Sequence, residues 1–95
     1  MRHEIVLARE AVEDLRRLPA NLRAEVKAAI EKHLRYRPTS VSKSRIKRLR
    51  GLSRPQYRLR VGDIRVFYDV SEQLVEVLAI VAKLGVDEWL ERAGD

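Results

Sequence analysis

The chain has 95 residues, with twenty lysines and arginines against fourteen acids, a net charge of +6 and a pI of about 10.2. The absence of cysteine excludes a disulfide framework, a thiolate nucleophile and a cysteine-type zinc site, and with only His3 and His33 as histidines no metal site or cofactor is expected. The length suits one domain over residues 1–95 with a small core. No apolar run is long enough to cross a bilayer and no signal-peptide pattern is present, so a cytoplasmic protein without membrane contact is the expectation.

The basic residues are not spread evenly. Ten lysines and arginines fall between Arg37 and Arg65 against one acid, Asp63, whereas the rest of the chain holds ten against thirteen. A focused positive surface points to a polyanionic partner, nucleic acid first among them.

In chain order, the apolar run at residues 3–8 (HEIVLA) reads as a strand. Ala11, Val12, Leu15 and Leu18 then recur at helical spacing among charged residues, which predicts an amphipathic helix. Pro19 ends it, and Asn21 is placed to cap a second helix. In that helix Leu22, Val26, Ala29, Ile30, His33 and Leu34 form one stripe, so His33 reads as a packed histidine. The short link makes the two helices an antiparallel hairpin. Residues 37–40 break the pattern, and the polar, basic stretch 41–52 (VSKSRIKRLRGL) reads as an irregular connector.

Three strand-like runs follow, at 56–61, 64–70 and 74–82. Gly62-Asp63 turns the first pair and residues 71–73 turn the second, which makes the strands an antiparallel meander. The last run, LVEVLAIVA, is almost continuously apolar and is expected to be central and covered on both faces. Residues 86–95 read as a short terminal helix or tail, with Trp89 and Leu90 able to dock. The fold class is therefore α+β: an N-terminal strand, a helical hairpin, a three-stranded antiparallel meander and a short C-terminal helix, with the helices packed on one face of a curved sheet.

Side chains alternate across a strand. Tyr57, Leu59, Val61, Ile64 and Val66 suit the face that receives the hairpin, and Tyr68 shares their parity. Arg58, Arg60 and Arg65 then occupy the opposite face, expected to be open to solvent, with Phe67 among them. Guanidinium forks bind phosphate and stack on bases, and aromatic rings stack unpaired bases. Lys43, Arg45, Lys47, Arg48, Arg50 and Arg54, with Phe67, are the further candidates for contact with RNA.

Cleavage of RNA by its own 2′-hydroxyl needs a base, stabilisation of the charged phosphorane, and an acid for the leaving oxygen. Arginine suits the middle role, and stays protonated too firmly for the first. A lysine, tyrosine or histidine suits proton transfer better. Lys83, at the end of the last strand, is the candidate. His3 reads as a surface residue ending the first strand, and Trp89 as a hydrophobic anchor. Asp69, Glu72 and Glu76 near the second hairpin read as a solvated edge.

The stretch YRLRVGDIRVFYDV, preceded by KRLRGL and by the hairpin AVEDLRRLPANLRAEVKAAIEKHL, resembles the RelE/ParE superfamily of toxins from type II toxin–antitoxin pairs, closer to the RelE branch. The likeness runs over nearly the whole chain and is most specific in its order of a basic strand, a Gly-x-x-Arg turn and a closing tyrosine. It implies a toxin neutralised by a cognate antitoxin. On the RelE branch it implies ribosome-dependent mRNA cleavage, with Arg58, Arg60 and Arg65 positioning the message. On the ParE branch it implies inhibition of DNA gyrase, and a third reading is a homologue that binds RNA or antitoxin without strong catalysis. One departure matters: after the last strand the chain reads AKLGVDEWLERAGD, with Lys83 present, Leu84 where an arginine is expected, and Trp89-Leu90 in place of the branch's tyrosine or histidine.

Overall fold

A computed structural model describes residues 1–93. The elements run β1 (Glu4–Leu7), α1 (Arg9–Arg17), α2 (Ala20–Leu34), β2 (Ile46–Arg48), β3 (Tyr57–Val61), β4 (Ile64–Ser71), β5 (Leu74–Ala82) and α3 (Val86–Ala93), with a 3-10 turn at Lys83–Gly85 between the last two. The five strands lie in the order β1-β5-β4-β3-β2. All neighbours are antiparallel except β1, which pairs with β5 in parallel.

The meander and its turns form where alternation and turn residues predict them. Gly62 takes φ +59° in the tight turn between β3 and β4, and Glu72 takes φ 51° between β4 and β5. Two expectations are corrected. The connector is not wholly irregular: Ile46–Arg48 pairs with β3, Lys47 lying opposite Arg58. The burial of Ile46 beside Leu59 holds this short strand to the sheet. Asn21 does not cap α2, which begins one residue earlier, directly after Pro19 and without a side-chain cap. The hairpin is instead secured from inside α2. Arg23 donates to the carbonyls of Leu18 at 3.0 Å and Leu15 at 3.3 Å, the latter also receiving the Leu18 N–H, and so ties α2 to the end of α1.

The main core lies between the helical hairpin and one sheet face. It joins Ala11, Val26, Ile30 and Leu34 to Leu59, Val66, Tyr68, Val75 and Val77. Where β1 ends opposite Val77, the carboxylate of Asp14 in α1 takes over and accepts the Ile80 N–H at 2.9 Å. Burial raises the pKa of that carboxyl. A bulge in β5 leaves Leu78 unmatched between Val77, opposite Tyr68, and Ala79, opposite Phe67. The strand's parity changes there, so Ile80 joins the main core and Ala79 turns to the other face.

That other face is not open throughout, which corrects the second half of the face assignment. α3 folds across it. Phe67, Ala79 and Trp89 form a second buried cluster with Leu78, Val81, Val86 and Leu90 around it. The Trp89 ring stacks on Phe67 at 4.7 Å between centroids, and its Nε1–H donates to Glu10 at 2.5 Å. The spacing of Val86, Trp89, Leu90 and Ala93 gives α3 one apolar stripe, and the stripe is what covers the sheet. Trp89 is thus the anchor its sequence position suggested.

Tyr68 is fully buried, and its hydroxyl donates to the Pro38 carbonyl at 2.6 Å, tying the segment after α2 to the sheet. Burial pushes the phenol pKa well above its ordinary value. Tyr68→Phe leaves the carbonyl unpaired and is expected to cost about 1–2 kcal/mol at neutral pH. Because the folded-state pKa is raised, the wild type loses this group's contribution as pH rises past the ordinary phenol value of about 10. The gap between wild type and Tyr68→Phe in urea midpoints should therefore narrow between about pH 8 and pH 11, and a constant gap would contradict it.

Candidate nucleic-acid interface

α3 covers the second face over β4 and β5, and Leu49, directly after β2, packs against the same cluster; on β3, Arg58 is half-buried and Arg60 exposed. The arginines sit on this boundary. Arg60 lies directly opposite Arg65, and Arg58 directly opposite Phe67. Arg60 is exposed, Arg58 is half-buried, and Arg65 is only 8% exposed. The sequence placed all three on one open face. The shared face holds, but Arg65 is buried, because the turn folds over it. Its guanidinium donates to the carbonyls of Gly62 at 2.8 Å and Ile64 at 3.2 Å. Phe67 is likewise corrected: at 0% exposure beneath Trp89 it is core and cannot stack a base in this arrangement.

Among the described residues no carboxylate forms an ion pair with any of the three arginines. Arg58 carries the consequence. Its Nε is buried without a hydrogen-bond partner. Burial first, then the charges of Arg65 and Arg60, hold its guanidinium below the ordinary arginine value. A cation whose donor is unpaired and whose neighbours repel it is one that an anion would stabilise.

The remaining candidates divide. Lys47 lies opposite Arg58 at the β2 end of the face. Lys83 is exposed in the 3-10 turn, and its backbone N–H donates to the Asp63 carbonyl at 2.8 Å, which holds it beside the β3–β4 turn. Lys43 and Arg50 are exposed in the connector. Arg45 donates to the Arg60 carbonyl at 3.2 Å. Two arginines serve the fold. Arg48 lies 5.0 Å over the Tyr57 ring and donates to the Gln56 carbonyl. Arg54 is clamped by Asp69 at 2.7 Å and Glu76 at 2.9 Å, so these acids are not a free solvated edge. Asp69 also accepts the Gln56 N–H, pinning the connector to the sheet. Sequence reasoning missed this clamp because its members stand 15 and 22 residues apart. Among the described residues no group of three or more potential ligands could hold a metal ion, and no helix is long and apolar enough to cross a membrane.

The fold and this sheet face define a class: a small α+β protein with three arginines grouped on one sheet face and, among the described residues, no carboxylate paired to them. The model of the ParE toxin of type II toxin–antitoxin systems (parDE) matches residues 5–82, and the chain belongs to this toxin family, within the RelE/ParE superfamily. Solved structures of similar fold include the archaeal RelE–RelB complex from Pyrococcus horikoshii OT3, at 24% identity and TM-score 0.70 over 87% of this chain and 97% of that one. The RelBE2 toxin–antitoxin complex from Mycobacterium tuberculosis aligns at 21% identity and TM-score 0.71 over 86% and 99%. A mutant of Escherichia coli RelE in the free state aligns at 21% identity and TM-score 0.71 over 98% and 95%. At these identities the likeness concerns the fold. A search of curated proteins finds no match.

The cluster's strain gives a stability test. Arg58→Met removes a buried unpaired nitrogen and one of three repelling charges, and should leave the protein equally stable or up to about 1–2 kcal/mol more stable. Added salt, which screens the repulsion, should stabilise the wild type more than the variant. Urea titrations at low and high ionic strength measure both, and a clear loss of stability in Arg58→Met would count against the crowding argument.

Proposed function

We propose that this toxin arrests translation in the cytoplasm by cutting messenger RNA on the ribosome, with the arginine-bearing part of the second sheet face as its RNA-binding surface. The observation that carries the reading is the group of Arg58, Arg60 and Arg65 on opposed strands, with no paired carboxylate among the described residues and the buried Arg58 Nε unbonded. In the reaction the ribose 2′-hydroxyl attacks the adjacent phosphorus, and the bond to the 5′-oxygen of the next nucleotide breaks. A cyclic phosphate and a free 5′-hydroxyl result. The arginines stabilise the extra negative charge of the phosphorane, fixed in place before the charge develops. Lys47 and the connector cations Lys43, Arg45 and Arg50 draw the strand in. Lys83, whose backbone is held beside the turn that holds Arg65, takes the role of proton transfer in this reading. Tyr68 cannot serve, since its hydroxyl is committed to Pro38 in the core.

Control of such a surface calls for a cognate antitoxin. Several similar structures are of RelE-type toxins in complex with RelB antitoxins. An acidic antitoxin segment laid over Arg58, Arg60 and Lys47 would neutralise them and exclude RNA.

A second reading has an observation in its favour. The matching family model is that of the ParE toxin, and among the described residues no histidine and no tyrosine lies directly opposite any of the three arginines on the ladder. Inhibition of DNA gyrase needs no such group.

Purified toxin added to programmed ribosomes should cut the message at defined positions. Arg65→Ala should reduce cleavage by about 100-fold, as expected for losing a transition-state donor. Arg60→Ala should reduce it substantially as well, and because Arg60 is exposed its loss cannot be attributed to unfolding. Intact message together with blocked DNA supercoiling by gyrase would replace the first reading with the second.

A further inference from the structure

The positive surface continues past the sheet. On the helix side of the β2 edge, the end of α2 and the connector enclose a cleft of about 440 Å³, lined by Lys32, His33, Tyr36, Arg37, Ser42 and Arg45 among others. This is within the size range of small-ligand sites. No acidic residue lines it. Arg35, one residue before Tyr36, is neutralised by Glu31, yet among the described residues Lys32, Arg37 and Arg45 form no ion pair. Burial first, then the charges of Arg45 and Lys32, hold the His33 imidazole below its ordinary pKa. In the midst of these cations Tyr36 is 60% exposed. The cleft is also joined to the arginine face, because Arg45 and Arg60 are bonded both ways across the β2–β3 edge, through the Arg60 N–H to the Arg45 carbonyl and the Arg45 guanidinium to the Arg60 carbonyl.

We infer that this cleft is a second RNA-binding site, in which Lys32, Arg37 and Arg45 hold a backbone phosphate and Tyr36 stacks on a base. Exposed aromatic rings beside cations are the arrangement that takes unpaired nucleotides. An acidic helix is a poorer fit. Apart from Tyr36, the cleft's one large apolar side chain is Ile46, which is buried, so it offers no apolar row for a helix to dock on. The proposal deepens the reading of the toxin as an RNA-acting protein. It gives the nucleic acid a path from the sheet face around the β2 edge, but it requires only binding and not cleavage.

The test follows the His33 and Tyr36 ring signals of the full chain by nuclear magnetic resonance. The probes are a single-stranded RNA of about twelve nucleotides, one of about four, a short RNA hairpin, and a polyglutamate peptide. The longer strand should shift both rings saturably. The double variant Lys32→Glu with Tyr36→Ala, its folding verified by circular dichroism, should bind that strand about tenfold more weakly. A strand bound across both surfaces should bind more tightly than the four-nucleotide one, whereas a preference for the hairpin would identify structured RNA as the source of the same chemistry. Rings that stay unmoved while amides of β3 and β4 shift would overturn the inference. So would polyglutamate moving the rings at lower concentration than RNA. Absence of cleavage on ribosomes with the ring shifts intact would count against the catalytic reading alone.

Discussion

The site depends on holding like charges together. Arg58, Arg60 and Arg65 stand on adjacent strands, two of them directly opposed across the ladder. Cross-strand pairs of like charge are unfavourable, and a free chain would move them apart. Here β3 and β4 are locked by a core on their other side, where Leu59, Val66 and Tyr68 are fully buried against the helical hairpin. The apolar half of each strand thus holds its charged half in place. Arg65 is held twice over, by the strand and by the turn carbonyls that receive its guanidinium.

The placement of α3 decides how much of that face works. If the helix covered β3 as well as β4, the arginines would lie beneath it; if it were absent, Phe67 would lie bare. Trp89 stacks on Phe67 and reaches Glu10, which sets the helix over the β4–β5 half. Arg58, directly opposite Phe67, then falls at the helix margin. There its Nε is buried without a hydrogen-bond partner. The tail therefore sharpens the site without contributing a charged group to it, and Arg54, held between Asp69 and Glu76, secures the neighbouring connector in a similar supporting role.

Much of this was legible in the sequence, and the parts that were not share a cause. Strand alternation put Arg58, Arg60 and Arg65 on one face because parity is a local property. The tight turn was legible because Gly62 supplies the positive φ it needs. Parity could not say what lies over a face, so Phe67 was read as a bare ring when a helix some twenty residues further on covers it. The pairing of β2 rests on backbone bonds and on one buried side chain, Ile46, in a stretch whose composition looks like a loop. The bulge at Leu78 shifts the β5 pattern by one, and a nearly continuous apolar run hides such a shift. The helical hairpin was legible in its stripe but not in its closure, since α2 starts without the cap that Asn21 could chemically supply and Arg23 instead ties α2 to the carbonyls ending α1.

The two basic surfaces meet at β2, and this gives the short strand a weight beyond its three residues. On one face Lys47 extends the arginine row. On the other, the burial of Ile46 anchors the edge where Arg45 reaches both the cleft and the Arg60 backbone. A polyanion crossing this edge would meet cations on each side and a backbone already committed to the sheet, so little ordering entropy would be lost on binding. The connector before β2 is open and basic, whereas the strand itself is fixed by its bonds to β3. That combination puts a charged, open approach beside a rigid edge, and β2 is where the arginine row and the cleft meet.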